Sequence, residues 1–342
     1  MINIRTRPVT DSSAWRGADL REDTGWIVPL TERQRAEVQS ALAGVQRRGL
    51  ALPRVTQPDF PLPAWAPLFE QLMHELREGR GFSVLRGLPF EGLGEDEAGL
   101  MLWGIGTHLG TGVSQNAAAE LIAHVYDRGG RYGDRNVRAY QVRADLSPHC
   151  DQSDVVALAC LRKARSGGLT RLASAMSVFN VMLRESPEHL PTLFNGLFYS
   201  RKDEQGPDEP RVNPRRLPVF SEEDGVLSCR YMRSWVEYAR VHDGVAMTPA
   251  ETAALDAFDA IARSGDLPLD MMLQPGDVQF ANNFTVLHAR TEYEDDPAHK
   301  RHMLRLWLEV EGLRPMASED MRRGHIRHGR LGRSASSLSD LS

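Results

Sequence analysis

Of the eleven histidines in this 342-residue chain, only His149 has a carboxylate two positions later, in His149-Cys150-Asp151. On extended backbone, side chains two apart share a face, so this imidazole and this carboxylate converge while Cys150 turns away. Such a pair arises readily by chance, and its meaning depends on what joins it. The second element is Pro275-Gly276-Asp277-Val278-Gln279-Phe280-Ala281-Asn282-Asn283, a turn, a strand and a turn that deliver Phe284 to His288. Standing alone, His288 would read as a core histidine with satisfied nitrogens. The third element argues otherwise. Arg301, Met303, Arg305 and Trp307 share one parity of a run whose other parity is Leu304, Leu306, Leu308 and Val310. Aiming two guanidinium groups at one face of a buried strand is costly unless an anion meets them.

Two histidines and one aspartate make the donor set of a 2-His-1-carboxylate facial triad, which suits Fe(II) with coordination positions left open. A 2-oxo acid can chelate through two of those positions and dioxygen can take the remaining one. A co-substrate with a second, distal carboxylate then needs an acceptor, and the forked guanidinium is the natural one.

On these residues the chain resembles the taurine dioxygenase/phenoxyacetate dioxygenase (TauD/TfdA) family of Fe(II)/2-oxoglutarate-dependent oxygenases. The resemblance spans roughly residues 80 to 312. It implies a mainly β protein with flanking helices and a double-stranded β-helix, or jelly-roll, core. It implies His149, Asp151 and His288 as iron ligands and catalytic centre, and Arg301 as the grip on the distal carboxylate of 2-oxoglutarate. Thr170, in Gly167-Gly168-Leu169-Thr170, matches the family's Gly-Gly-x-Thr, whose hydroxyl shares that carboxylate. Arg305 matches a second arginine near the metal-bound carboxylate. Members acting on taurine or phenoxyacetates have Trp-His-Thr-Asp at the first motif, where this chain has Pro148-His149-Cys150-Asp151. Taurine therefore does not transfer as the substrate.

The elements that must position these residues fall into two textures. Residues 1–80 read as a helical flank. Thr31 and Gln34 form a capping box ahead of the stripe Val38, Leu42 and Val45, and Trp65, Phe69, Leu72 and Leu76 form a second stripe. Phe82 to Leu85 reads as a short strand, and 95–109 as a helix containing three glycines. Residues 81–315 are expected to form the oxygenase core, with strands at Leu121–Tyr126, Val155–Leu161, Leu227–Val236, Val278–Ala281 and Met303–Val310. Helices interrupt them at Ser174–Ser186 and after the Thr248/Glu251 capping box. Residues 200–218, with four prolines and no periodicity, read as a long loop closing over the mouth above His149. Asn116 is placed in a loop that could line the pocket. Arg230 and Arg233 read as a solvated strand face, with reach to a substrate as the alternative. Residues 316–342 form a polar tail.

Composition sets the outer limits. Forty-one Lys+Arg against 46 Asp+Glu give a net charge of −5, which disfavours nucleic acid as a partner. Three cysteines, Cys150, Cys160 and Cys229, form neither a closed disulfide set nor a Cys-x-x-Cys site. No apolar run is long enough to cross a bilayer, and the first residues lack a signal-peptide pattern, so a cytoplasmic location is expected. Two classes of function remain. One is an oxygenase that uses dioxygen and 2-oxoglutarate to oxidise a small polar or amino-acid-like molecule, releasing succinate and CO2, with natural-product tailoring as its variant. The other is a non-catalytic jelly-roll metal-binding or sensor protein. The oxygenase takes precedence, because a structural metal needs no arginine pair. Partners are then small molecules, with a homo-oligomer compatible.

Overall fold

The computed structural model describes residues 4–116, 118–131, 137–202, 205, 208–296 and 298–315. In chain order the elements are α1 (Gly17–Glu22), β1 (Ile27–Pro29), α2 (Glu32–Arg47), α3 (Ala66–Arg77), β2 (Phe82–Arg86), α4 (Glu95–Gly106), β3 (Thr111–Val113) and β4 (Ile122–Val125). Then follow β5 (Leu146–His149), β6 (Val155–Arg162), β7 (Ser166–Gly167), β8 (Thr170–Ser174), α5 (Ala175–Glu185) and α6 (Leu190–Asn195). The last group is β9 (Phe220–Glu223), β10 (Val226–Cys229), α7 (Arg233–His242), α8 (Pro249–Arg263), β11 (Leu269–Met271), β12 (Val278–Asn282), β13 (Val286–Arg290), β14 (Tyr293–Glu294) and β15 (His302–Glu309).

Local chemistry explains the helix starts. Thr31 Oγ1 accepts the Gln34 amide at 3.2 Å while Gln34 Oε1 accepts the Thr31 amide at 2.9 Å. The same reciprocal box joins Thr248 and Glu251, with Pro249 at the first helical position. Ser174 caps α5 by accepting from the Ser177 amide, and the helix ends ahead of Pro187.

Two sheets stack between two helical layers. The larger runs β1-β2-β12-β6-β15-β3, with β4 also paired to β15, and the smaller runs β11-β8-β13-β5. Leu85, Val155, Ala157, Phe280, Leu304, Leu306 and Leu308 form the outer face of the large sheet, packed against α2, α3 and α4. Cys150, Ala173 and Leu287 of the small sheet pack against α5, α6 and α8. Between the sheets lie Phe82, Val84, Val156, Met303 and Trp307 from one side and Leu172, Leu269 and Val286 from the other. Alternation on β15 therefore sends leucines outward under the helices and Arg305 and Trp307 inward. This is the jelly-roll arrangement with flanking helices, its two sheets not closed into a continuous barrel.

The structure departs from the sequence expectations in two places. Residues 1–80 are not wholly helical, since β1 pairs in parallel with β2 and extends the large sheet. Of the expected Leu227–Val236 strand only Leu227–Cys229 is extended, as part of β10. It hairpins with β9 through Asp224 and Gly225, both at positive φ. Beyond it, Trp235, Val236, Tyr238 and Ala239 are buried with helical spacing, and tertiary packing makes that segment α7. The expected 316–342 tail lies outside the described residues. No helix among the described residues is long and apolar enough to cross a membrane.

Candidate metal centre and its cavity

The pairing of β5 with β13 sets His149 directly opposite His288. Their rings stand 4.2 Å apart, centroid to centroid. Asp151, two residues past β5, turns its carboxylate toward both. His149 Nε2 lies 3.9 Å from Oδ1, and His288 Nε2 lies 3.6 Å from Oδ2. One donor atom from each residue lies within 4.8 Å of the other two. The Asp151 amide donates to Asn283 Oδ1 at 3.0 Å, so the Asn-Asn turn after β12 holds the carboxylate's backbone in place. Cys150 faces the helical layer, as alternation requires.

The protonation states suit metal binding. Burial first, then the neighbouring His288, pushes His149 down to about 3, so the imidazole is neutral near pH 7. Its Nδ1 lies 2.8 Å from the Ser147 carbonyl. A proton donated there leaves the Nε2 lone pair facing the triad. Burial by itself would raise the Asp151 carboxyl, but Arg305, His288 and His149 together hold it well below the ordinary carboxylate range. Arg305 Nη1 donates to both carboxylate oxygens at 3.2 and 3.1 Å. Trp307 Nε1 donates to Oδ2 at 2.8 Å. An ionised carboxylate and two histidines, with burial favouring the neutral form of His149, are the donors a ferrous ion takes. The residues fit that metal.

A cavity of about 410 Å³ opens over the triad and is lined by all six residues singled out from the sequence: His149, Asp151, Thr170, His288, Arg301 and Arg305. Arg301 is buried, with Nη1 unpartnered among the described residues. Its guanidinium lies 5.2 Å from the Tyr293 ring centre. Thr170 on β8 stands in register with Arg290 on β13. Arg290 also lines the cavity, 4.7 Å from the same ring, with Nε and Nη1 unpartnered. The preceding glycines shape this wall. Gly167 and Gly168 both hold positive φ, and a Cβ on Gly167 would come within 2.2 Å of the Glu292 carbonyl.

Several functional side chains escaped the sequence reading. Arg290 shares the face of His288 and was legible by the same parity. Trp307 sat on the correct parity without an assigned role. Gln115 comes from a loop and carried no signal, yet its Oε1 accepts from Arg305 Nε at 2.7 Å and its Nε2 donates to the Arg305 carbonyl at 2.7 Å. Asn116 turns instead to Glu120 and the Ala118 amide and does not line the cavity. Arg233 lies on α7, paired with Asp256 and Asp259, rather than on a strand. Arg230 is buried, and its Nη1 donates to the Asp151 carbonyl at 2.9 Å. The 200–218 excursion does reach the cavity. The Leu197–Leu217 and Ser200–Val212 bridges pin its stem, and Lys202 lines the cavity wall. Residues 203, 204, 206 and 207 lie outside the described residues.

A second group, Glu95, His124 and His302, also brings ligand atoms together. Arg162 Nη2 stands 2.9 Å from His302 Nδ1 and 3.0 Å from Glu95 Oε1. A protein cation thus already meets those groups, and no metal is assigned there.

The sequence model of the taurine catabolism dioxygenase TauD, TfdA family matches residues 46–307. FR-33289 synthase of Streptomyces rubellomurinus is 34% identical over 317 residues, covering 91% of this chain and 93% of that protein. Asparagine oxygenase in complex with Fe(II), 2S,3S-3-hydroxyasparagine and succinate superposes with a TM-score of 0.65 at 18% identity, covering 83% of this chain and 93% of that one. The non-heme iron oxygenase OrfP, solved with Fe and alpha-ketoglutaric acid, gives 0.61 at 16% identity, covering 83% and 94%. The chain belongs to the TauD/TfdA family and is a non-haem Fe(II)/2-oxoglutarate-dependent dioxygenase. Of the two readings open from the sequence, the oxygenase stands.

Proposed function

We propose that this family member oxidises a C–H bond of a small, polar, amino-acid-like substrate at a centre made by His149, Asp151 and His288. Hydroxylation is the simplest outcome, with succinate and CO2 released. The observation that carries the site assignment is the convergence of these three donors at one cavity with Arg301, Thr170 and Arg305. Asparagine oxygenase and OrfP, the latter solved with (3S)-hydroxy-L-Arg, support amino-acid-like chemistry by likeness of fold.

When bound, Fe(II) supplies the activation of dioxygen that is coupled to oxidative decarboxylation of 2-oxoglutarate. The protein's part is orientation, charge and exclusion of water. His149 presents Nε2 because Nδ1 is committed to Ser147. Asp151 is held anionic and fixed in angle by Arg305 and Trp307. Arg301, with Thr170, grips the distal carboxylate of 2-oxoglutarate, and Arg290, in register with Thr170 and beside the same Tyr293 ring, adds a second guanidinium to that wall. Val125, Leu158 and Met232 give the cavity apolar walls that limit water near the reacting carbon.

The test is succinate release with Fe(II) and 2-oxoglutarate across a panel of amino acids and their derivatives, with mass spectrometry of the product. His149→Ala and His288→Ala are expected to abolish metal binding and turnover while circular dichroism stays near the parent's. Near-normal turnover in either variant would remove the triad assignment.

A further inference from the structure

Asp151 is the one donor of the triad that lies outside a strand. His149 ends β5 and His288 sits inside β13, and the two stand in register. The strand ladder therefore fixes both histidines, whereas the Asp151 peptide needs other partners. It finds them in side chains from distant parts of the chain. Its amide donates to Asn283 Oδ1 at 3.0 Å, and its carbonyl accepts from Arg230 Nη1 at 2.9 Å.

These contacts close a ring. The Arg230 guanidinium lies 4.6 Å from the ring centre of Phe284, the residue after Asn283. The Cys229 amide donates to the Phe284 carbonyl at 2.9 Å, and the Cys150 amide donates to the Tyr231 carbonyl at 2.7 Å. Residues 229–231 thus join the Asn283–Phe284 turn on one side to the ligand-bearing peptide on the other. Tyr231 Oη donates to Asp259 Oδ1 at 2.6 Å, which ties the same segment to α8. Asp151 and Arg230 are both buried, so a carbonyl deprived of this charged donor has no bulk water to turn to. The Asp151 carboxylate is meanwhile drawn toward β15 by Arg305 and Trp307. One methylene separates that carboxylate from its backbone. Rotation of the peptide would let the β15 donors swing the oxygens away from the two histidines.

We propose that Arg230 is a positioning residue for the metal centre, one that fixes the Asp151 carbonyl and thereby the angle at which the carboxylate meets the metal. It opposes the pull from β15 without lining the cavity itself. The proposal rests on His149, Asp151 and His288 being the metal ligands.

The probe is Co(II), whose visible absorption responds to coordination geometry. The metal-free full-length protein is titrated with it at a temperature where thermal melts show each variant folded, which gives affinity and spectrum together. Arg230→Met keeps a long side chain over Phe284 and removes the donor. Its Co(II) affinity is expected to fall about 10–100-fold, with altered d–d bands. Arg230→Lys keeps the charge and loses the forked reach, so a loss of about threefold or more is expected, with bands between the two. Val219→Ala is the control for stability alone, since it trims a buried residue whose carbonyl accepts the Arg230 amide. It should lower the melt and leave Co(II) affinity and bands as in the parent. Parental affinity and bands in Arg230→Met overturn the proposal, and if that variant does not fold, the same result in Arg230→Lys does so. An equal loss in Val219→Ala would assign the effect to stability and also overturn it. A parent that binds no Co(II), or a His149→Ala variant that binds it as the parent does, would instead overturn the triad reading.

Discussion

Trp307→Phe isolates one hydrogen bond to the metal-binding carboxylate. The substitution keeps an aromatic ring between the sheets and removes the Nε1–H that reaches Asp151 Oδ2 at 2.8 Å, with part of the indole's volume. Asp151 retains both contacts from Arg305, at 3.2 and 3.1 Å, so it stays ionised and loses angular restraint. A hydrogen bond to a charged group contributes about 1.5–3 kcal/mol. At about 1.4 kcal/mol per decade that is roughly a ten- to hundredfold loss of Fe(II) affinity. Losing a partner that orients a metal ligand generally weakens the metal about 10–100-fold, in agreement. The assay is anaerobic equilibrium dialysis against Fe(II), beside thermal melts of the metal-free protein. The melt should fall by a few degrees, because Trp307 is 4% exposed and part of its ring volume is lost. Fe(II) affinity within about threefold of the parent would show that Trp307 only packs, and would refute the orienting role.

Three further outcomes are expected. Arg301→Ala should weaken 2-oxoglutarate by about ten- to hundredfold, from the loss of charge-assisted hydrogen bonds, with little change in Fe(II) affinity; a larger effect from Arg290→Ala in the same titration would transfer the anchor to that residue. Gly168→Ala should cost about 1–3 kcal/mol in urea unfolding, since φ is +70° and the new Cβ would press within 3.3 Å of Arg301 Nε; an unchanged urea midpoint would contradict the strain. The metal-free protein should lose stability as pH falls from about 6.5 toward about 3. Over that window the unfolded His149 takes up a proton that the folded one, lowered to about 3 by burial, refuses. Urea midpoints equal at pH 7 and pH 5 would count against a buried neutral His149.

Much of the centre was legible from local rules. Alternation placed His149 and Asp151 on one side of Cys150, and it separated the inward arginines of β15 from its outward leucines. Capping chemistry located α2 and α8, because a cap is read from residues three apart and needs no distant partner. The same parity reaches Arg290, two residues past His288, and it already included Trp307, to which no role was given.

Other features depended on contacts between residues far apart in sequence. That the anion meeting Arg305 is Asp151 follows from β15 and the end of β5 facing one another across the two sheets. Gln115 and Lys202 come from irregular segments, whose side-chain directions no period fixes. The expected strand through Val236 became α7 because Trp235, Val236, Tyr238 and Ala239 find a buried surface only in helical geometry. β1 joined the large sheet although a three-residue strand offers too short a pattern to read. Sequence determined which side chains share a face, since that follows from backbone period alone. Which faces meet, and which loop delivers a lysine to the cavity, was decided by how the two sheets and their helices pack.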